Sequence, residues 1–202
     1  MRSVGLLDYG SGNLHSAAQA LRAAGADVLV SPDPDALQGR DALVVPGVGA
    51  FAACMAGIEA VGGRELVSDW VDSGRPLLGI CVGHQVFFTE GTEHGVTSRG
   101  LGLFPGSVDP IPARRLPHMG WNTVLVPEGS RLFAGVERER FYFVHSYAAL
   151  TPPGEGLVTT AVHEGVEFVA AMERGNVAST QFHPEKSSAA GVQLLRNWLA
   201  GV

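Results

Sequence analysis

The residue of this sequence best placed to act as a nucleophile is a cysteine flanked by two glycines. The stretch 76–85 reads PLLGICVGHQ, so an apolar run ends at Cys81, with Gly79 and Gly83 two positions to either side. A helical pattern begins at once, which predicts a strand, a sharp turn and a helix with the thiol at the apex. Small neighbours suit the strained backbone of such an apex, and a helix N-terminus favours a thiolate. The alternative is a buried structural cysteine between two loop glycines.

A thiol nucleophile needs a base and a group that orients the base, and His183 is the best candidate among the seven histidines. It ends a strand-like run and precedes Pro184, which favours an extended conformation at His183. Because residues i and i+2 of an extended segment point the same way, we expect the Glu185 carboxylate beside the ring, where it would fix the tautomer. The alternative is a capped strand end with a solvated glutamate. His145 is the rival base, but it lacks a nearby carboxylate, so we expect it to shape a pocket or bond a backbone group.

Attack by a thiolate on a carbonyl carbon creates an oxyanion, which two N–H groups should stabilise. One donor is predicted to be the Val82 amide, at the start of the helix. The other is predicted to come from the loop 46–49, PGVG, through Val48 or Gly49, because its glycines permit unusual backbone angles. A plain turn between a strand and a helix is the alternative for this loop.

Strand-like and helix-like segments alternate over the first hundred residues, and the strands are apolar throughout. This pattern predicts an α/β fold with a mostly parallel central sheet covered by helices on both faces. The loops after the first, third and fourth strands, at 8–12, 46–49 and 81–83, should share one rim, because ligands bind at the carboxyl ends of parallel strands. The second cysteine, Cys54, lies on an apolar helix face and is predicted to belong to the core.

From about residue 101 the pattern changes to short strand-like runs between turn residues, which predicts a smaller mixed or antiparallel β portion. The runs lie at 101–104, 123–126, 141–144, 157–162, 168–172 and 178–182. A last helix is predicted from about Ser188. No repeat or linker interrupts the sequence, so we expect a single domain over residues 1–202.

Composition narrows the class of function. A chain of 202 residues, 46% hydrophobic and 17% charged, can bury a core. The formal net charge of −6 and the lack of basic runs argue against nucleic acid as a partner. The presence of only two cysteines argues for a reducing compartment. An acidic residue as early as Asp8 argues against a signal peptide. No apolar run approaches the ~20 residues that span a bilayer. We therefore expect a cytoplasmic protein without membrane contact, metal or cofactor.

With Cys81, His183 and Glu185 considered together, the sequence resembles the class-I, triad-type glutamine amidotransferases. Five further stretches resemble the glutaminase subunit of imidazole glycerol phosphate synthase, and the resemblance covers nearly the whole chain. They are DYGSGNL at 8–14, PGVGAF at 46–51, PHMGWN at 117–122, YFVHSY at 142–147 and QFHPEKS at 181–187. The cysteine turn and His-Pro-Glu indicate the superfamily, whereas MGWN and YFVHSY are more specific to this subunit.

The resemblance implies hydrolysis of glutamine to glutamate and ammonia through a thioester on Cys81. It implies a (β/α)₈-barrel synthase subunit as partner, which uses the ammonia to make imidazole glycerol phosphate and an aminoimidazole carboxamide nucleotide in histidine biosynthesis. In this family the second oxyanion donor is thought to be turned away until the partner and its nucleotide bind. Carried over residue by residue, the glutamine site would use Gly49, Gln85, Glu93, His145, Ser146 and Tyr147, and the partner surface would include Asn13, Trp121 and Lys186.

The sequence departs from the family at His84, where relatives usually carry Met or another apolar residue. The alternatives are that this ionisable ring, one residue before Gln85, alters the pocket or that it faces the exterior of its helix, and we expect the exterior position. Two other functions remain open. One is the same chemistry serving another acceptor, against which the MGWN stretch argues. The other is a non-catalytic α/β protein whose cysteine senses oxidants, which explains neither Glu185 nor Gln85.

Overall fold

The computed structural model describes residues 1–201 and arranges their strands in three sheets. The strands are β1 (Ser3–Leu7), β2 (Asp27–Ser31), β3 (Ala42–Gly47), β4 (Leu77–Cys81), β5 (Phe88–Glu93), β6 (Val96–Arg99), β7 (Phe104–Pro110), β8 (His118–Thr123), β9 (Arg140–His145), β10 (Tyr147–Ala148), β11 (Leu157–His163), β12 (Val166–Arg174) and β13 (Val177–Thr180). The helices are α1 (Leu14–Ala23), α2 (Pro34–Gln38), α3 (Phe51–Ala60), α4 (Gly63–Asp72), α5 (Val82–Gln85) and α6 (Ser188–Ala200), with a 3-10 helix at Pro184–Lys186.

The largest sheet has seven strands in the order β11-β12-β13-β4-β3-β1-β2. Strands β2, β1, β3, β4 and β13 pair in parallel, and β12 and β11 continue the sheet in antiparallel pairing. Every residue of β3 and β4 is buried, so both faces of the sheet are covered there. Helix α1 packs with α6, and α4 packs with α2 and α3. The predicted α/β fold with a mostly parallel sheet is confirmed.

The second half of the chain contributes to all three sheets. A four-stranded mixed sheet has the order β10-β7-β5-β6, and β8 pairs with β9 in an antiparallel ribbon. The predicted smaller mixed and antiparallel portion is therefore present. Strands β11, β12 and β13 instead extend the main sheet, because β13 pairs in parallel with β4. The last helix begins at Ser188 as predicted.

Three details differ from the sequence prediction. The hairpin of β5 and β6 was not predicted, because its polar residues give no apolar run. Helix α2 was also not predicted, and it forms because the Asp33 carboxylate accepts the Asp35 N–H and caps the helix. The runs predicted at 101–104 and 123–126 lie mostly outside strands, because β7 begins at Phe104 and β8 ends at Thr123.

The turn between β4 and α5 holds Cys81 at a strained apex, with φ 58° and ψ −113°, a region that side-chain-bearing residues rarely adopt. A Cβ atom on Gly79 would lie 2.7 Å from the Gly83 carbonyl oxygen. A Cβ atom on Gly83 would lie 1.9 Å from the Val45 carbonyl oxygen. The turn therefore packs backbone to backbone against β3, and this packing requires the two glycines that flank the cysteine.

We expect Gly83→Ala to destabilise the fold, because the added methyl group would overlap the Val45 carbonyl oxygen. Overpacking a core costs ~1–3 kcal/mol or more, so the free energy of unfolding measured in urea should fall by about 2 kcal/mol or more. The matched control is Gly39→Ala, where φ is −81° and a methyl group meets nothing within 4 Å. Equal stability of the two variants would contradict the packing described.

Candidate active site

A cavity of about 220 Å³ lies at the rim where β3 and β4 end. The strand registers place Gly47 beside Cys81 and Thr180 beside Ile80, so three chain segments emerge side by side at this rim. The cavity is lined by Val48, Gly49, Cys81, Val82, Gln85, Glu93, Val144, His145, Ser146, Tyr147, His183 and Lys186. Of these lining residues, Val144 alone is absent from the site residues predicted above.

The Cys81 thiol and the His183 ring line this same cavity, and the interaction with the thiol helps to raise the pKa of the ring. Nδ1 of the same ring lies 2.7 Å from Oε1 of Glu185. The side chains of His183 and Glu185 are only 2% and 4% exposed, so water screens this pair little. The backbone N–H of His183 donates to the Tyr142 carbonyl at 2.9 Å, which ties the histidine to β9. The structure thus brings together the three side chains predicted as nucleophile, base and orienting group.

The environment of His183 favours its charged form. Burial by itself would lower the pKa of His183, but hydrogen bonds to Cys81 and Glu185 and the charges of both raise it to about 9. Because Nδ1 faces a carboxylate oxygen, it carries a proton and donates to Glu185, which leaves Nε2 to face the sulfur. A ring held in this way can give a proton to a leaving amine and take one from a thiol or a water.

The loop after β3 presents a free N–H group at Gly49. The Val48 carbonyl accepts a hydrogen bond from Ser11 Oγ at 2.6 Å and one from Cys54 Sγ at 3.3 Å. In a planar trans peptide the Gly49 N–H points the opposite way, and it donates to none of the residues that the structure describes. The Val48 N–H faces Ser11 Oγ at 3.4 Å. Of the two loop amides predicted as oxyanion donors, the one at Gly49 is therefore free to meet a bound oxygen.

The Val82 N–H supplies a second donor beside Cys81, because the first N–H groups of a helix have no partner within the helix. Together with the Gly49 N–H it provides the pair of donors that an oxyanion needs. This arrangement differs from the one that the family resemblance implies, in which the second donor is turned away. The difference arises because the Val48 carbonyl is held by side chains behind the loop rather than pointing into the cavity.

Gln85 and Glu93 bring side-chain acceptors to the cavity wall. Both side-chain N–H groups of Gln85 are used, one to the Tyr147 carbonyl at 2.8 Å and one to Gln181 Oε1 at 2.9 Å. Oε1 of Gln85 is left as an acceptor for a bound molecule. Glu93 accepts the Phe51 N–H at 2.9 Å with one carboxylate oxygen, which fixes the carboxylate at the cavity wall.

His145 is held by hydrogen bonds on both sides of its ring. Nδ1 lies 3.0 Å from the Tyr147 carbonyl oxygen, and Nε2 lies 2.9 Å from Nδ1 of His118. Burial lowers the pKa of His145 to about 3 and that of His118 to about 4. Both rings are therefore neutral at neutral pH. The prediction that His145 shapes a pocket or bonds a backbone group is confirmed, and the structure shows both.

His84 lies inside the protein, so the expectation that its ring faces the exterior is wrong. The side chain is fully buried, and Nδ1 lies 2.7 Å from Ser179 Oγ on β13. The physical reason is that α5 is only four residues long and packs against β3, β4, β5 and β13, which leaves it no outer face. Burial lowers the pKa of His84 to about 3, so it packs as a neutral ring. Cys54 is fully buried, as predicted.

Of the three residues predicted to meet a partner, Lys186 lies at the cavity, and Trp121 and Asn13 are exposed at the surface. Trp121 is 43% exposed, and its ring centroid lies 6.1 Å from that of Tyr142. Nζ of Lys186 lies 5.9 Å from the same tyrosine ring, and Lys186 also lines the cavity. Asn13 is exposed and caps α1, which packs against the 3-10 helix that contains Lys186.

Sequence reasoning missed three polar residues that support the site, namely Ser11, His118 and Gln181. Each one lies in a stretch that carried the family resemblance, at 8–14, 117–122 and 181–187. Membership of those stretches was the signal that could have identified them. Their contacts are made between segments distant in sequence, so spacing alone does not reveal them.

A larger cavity of about 410 Å³ lies at the amino ends of β4 and β13, away from Cys81. Its lining includes Trp198, Asn197 and Glu173 but no cysteine or histidine, so it offers no nucleophile for acyl transfer.

Within residues 1–201, no group of three or more His, Cys, Asp or Glu side chains is arranged to hold a metal ion. None of the helices in that range combines the length and apolar character that crossing a bilayer requires.

Comparison with known proteins gives matches along the whole chain. The family profile described as glutamine amidotransferase class-I matches residues 5–202. A protein of Cutibacterium acnes named imidazole glycerol phosphate synthase subunit HisH is 60% identical over 97% of this chain and 95% of its own length. Proteins of the same name from Nocardia farcinica and Mycobacterium tuberculosis are 57% and 52% identical, over 98% and 100% of this chain and 97% and 98% of their own lengths.

Solved structures share the fold at lower identity. A crystal structure titled glutamine amidotransferase is 22% identical, covers 98% of this chain and 99% of its own, and has a TM-score of 0.76. The structure of PurLQS from Thermotoga maritima is 17% identical, covers 100% of this chain and 99% of its own, and has a TM-score of 0.75.

We expect the His183 ring to titrate near pH 9 and the substitution Glu185→Gln to lower its pKa. The sign follows because a neutral amide no longer stabilises the imidazolium, while burial continues to oppose the charge. The measurement is the pH dependence of the ring chemical shifts by NMR. His145 is the internal control, since burial holds its pKa near 3 in both proteins. A His183 midpoint that does not change on substitution would contradict the role given to Glu185.

Proposed function

This chain belongs to the class-I glutamine amidotransferase family, and from that premise we propose that it hydrolyses glutamine to glutamate and ammonia through a thioester on Cys81. The observation that carries the proposal is that Cys81 and His183 line one cavity, with Glu185 bonded to the His183 ring and with free N–H groups at Val82 and Gly49. The 60% identity to a HisH subunit over nearly the full length supports the same chemistry. We also propose that residues 1–202 act as one amidotransferase domain.

In the first step the Cys81 thiol gives its proton to His183, and the sulfur attacks the side-chain amide carbon of glutamine, so that the amide oxygen becomes an oxyanion. The Val82 and Gly49 N–H groups donate to that oxygen. A single donor of this kind contributes ~10²–10³ in rate, because it is already oriented when the charge develops. The strained backbone at Cys81 helps, since it places this residue at the cavity wall and at the start of α5.

In the second step the tetrahedral intermediate collapses, and the carbon–nitrogen bond breaks. The departing nitrogen takes a proton from the His183 imidazolium, which the Glu185 carboxylate stabilises. Ammonia leaves, and a thioester remains on Cys81. The Glu185 carboxylate keeps the ring in place and balances its charge throughout.

In the third step water attacks the thioester carbon while the now neutral His183 accepts a proton from it. The second tetrahedral intermediate uses the same two N–H donors. Its collapse breaks the carbon–sulfur bond, releases glutamate and restores Cys81. The sum of the steps is glutamine plus water to glutamate plus ammonia, so the protein is unchanged after each cycle.

Recognition of glutamine is assigned to the opposite side of the cavity. Oε1 of Gln85 and the Glu93 carboxylate are acceptors suited to the α-ammonium group. The segment of Ser146 and Tyr147, together with the neutral His145 ring, encloses the substrate, and the Gly49 backbone borders its amide. A neutral His145 suits this role, because a cation there would repel the substrate ammonium group.

The ammonia is proposed to serve a (β/α)₈-barrel synthase that makes imidazole glycerol phosphate and an aminoimidazole carboxamide ribonucleotide in histidine biosynthesis. The relatives named HisH are subunits of imidazole glycerol phosphate synthase by name, and they support this assignment. Asn13, Trp121 and Lys186 would meet the synthase. Exposed tryptophan is enriched among residues that dominate protein interfaces, which suits Trp121 at 43% exposure.

We expect Cys81→Ala to abolish glutamine hydrolysis, because loss of a triad nucleophile costs ~10⁴ or more in rate. The measurement is ammonia and glutamate release from glutamine. The control is Cys54→Ser, which changes the other cysteine and should retain most of the activity. Turnover by Cys81→Ala at the unmodified rate would exclude the thioester mechanism.

We expect Trp121→Ala to weaken binding of the barrel synthase, because loss of a central interface tryptophan typically costs about 2 kcal/mol, or roughly 30-fold in Kd. Isothermal titration calorimetry with the purified synthase measures this change. Cys81→Ala is the control, since it should bind as tightly as the unmodified chain and still allow synthesis from ammonia in solution. Unchanged affinity on Trp121→Ala would remove this residue from the interface.

A further inference from the structure

We propose that Ser11 and Cys54 are positioning residues that hold the Val48–Gly49 peptide with its N–H directed at the position of the oxyanion. The inference rests on the proposed glutaminase function, because it assigns a cause to one of the two donors of that site. Neither side chain touches substrate in this account. Both act through the carbonyl of the peptide that they hold.

The two side chains and the loop form a closed set of hydrogen bonds. Ser11 Oγ donates to the Val48 carbonyl at 2.6 Å and accepts the Val48 N–H at 3.4 Å. Cys54 Sγ lies 3.3 Å from the same carbonyl oxygen and 3.3 Å from Ser11 Oγ. The serine hydroxyl has one proton, which the carbonyl accepts, so the thiol proton is directed at the carbonyl and at the serine oxygen.

The direction of the carbonyl fixes the direction of the catalytic donor. The carbonyl and N–H of one trans peptide point in opposite directions. Because the Val48 oxygen faces Ser11 and Cys54 behind the loop, the Gly49 N–H faces the cavity that contains Cys81. Gly49 has φ 89°, a value that side-chain-bearing residues rarely adopt, so the peptide orientation also depends on glycine at this position.

The anchoring side chains are themselves held in place. Cys54 is fully buried on α3, and burial raises the pKa of its thiol, so the thiol keeps the proton that it donates. The Tyr9 hydroxyl donates to the Pro46 carbonyl, which fixes the start of the same loop. Burial also raises the pKa of Tyr9, so that hydroxyl remains a donor. The loop is thus fixed at Pro46 and again at Val48, with the free N–H group at the next residue.

Loss of the hydrogen-bonding group of Ser11 or of Cys54 should let the Val48–Gly49 peptide rotate for part of the time, so that the Gly49 N–H no longer faces the cavity. One hydrogen bond shifts such an equilibrium by roughly two- to tenfold, and complete loss of an oxyanion donor lowers the rate by ~10²–10³. We therefore expect kcat for glutamine hydrolysis to fall about three- to tenfold in Ser11→Ala and in Cys54→Ala. In the double variant it should fall towards 10²-fold. KM for glutamine should stay within about twofold, because the donor acts on the oxyanion and not on bound substrate.

The experiment measures kcat and KM for the full-length chain and for six variants. Ser11→Thr and Cys54→Ser keep a donor at each position and should recover most of kcat. Ser68→Ala, at an exposed position of α4, is the matched control for loss of a hydroxyl group. Alkylation of Cys81 by iodoacetamide is the second readout. In that reaction the sulfur displaces iodide and no oxyanion forms, so the alkylation rate should be the same in every variant that folds.

The outcomes separate this inference from the proposed function. A drop in kcat with unchanged KM, unchanged alkylation and recovery by the conservative variants supports the positioning role. Unchanged kcat in the Ser11→Ala, Cys54→Ala double variant overturns it, while loss of hydrolysis in Cys81→Ala would leave the glutaminase mechanism intact. A parallel fall of kcat and of the alkylation rate also overturns it, because general damage to the fold would then explain the loss. If Cys81→Ala itself hydrolyses glutamine normally, the proposed function fails first.

Discussion

Parallel pairing of β4 with both β3 and β13 is the constraint on which the rest of the structure depends. The registers put Gly47 beside Cys81 and Thr180 beside Ile80, so the segments that follow each strand must emerge at the same rim. A thiol and an imidazole about a hundred positions apart in the chain therefore meet because strand pairing has already set their separation. Backbone packing at Gly83 then sets the finer distances, since nothing larger than a hydrogen atom fits between the turn and β3.

The parts of the fold that could be predicted are those with local signals. Apolar runs bounded by glycine define the parallel strands, and Cys81 and His183 could be identified because each follows such a run. The hairpin of β5 and β6 has no such signal, because pairing rather than apolar content makes it a strand pair. The expectation for His84 was wrong because a four-residue helix has no periodicity that separates an inner from an outer face. The contacts of Ser11 and Cys54 depend on two loop conformations, which spacing does not encode.

Four buried histidines show that the groups around each ring, and not burial alone, decide which ring carries a positive charge. Three of these rings face only neutral groups, namely hydroxyl, imidazole, amide and carbonyl groups. Burial lowers the pKa of His84 and of His145 to about 3 and that of His118 to about 4. His183 is also buried, but a carboxylate and a thiol lie against it, and its pKa rises to about 9. Among these four rings, positive charge is thereby confined to the one that shares the cavity with the proposed nucleophile. The three neutral rings act as polar packing around it.

Tyr142 lies between the outer surface and the proposed base. Its ring contacts Trp121 and Lys186, its carbonyl accepts the His183 N–H, and its own N–H donates to Ser187. A protein resting on Trp121 would therefore press on a residue whose backbone shares a hydrogen bond with the proton carrier. One residue therefore connects the surface at Trp121 with the reaction centre, so a contact made at the tryptophan reaches the backbone of the proposed base without a hinge or a moving domain.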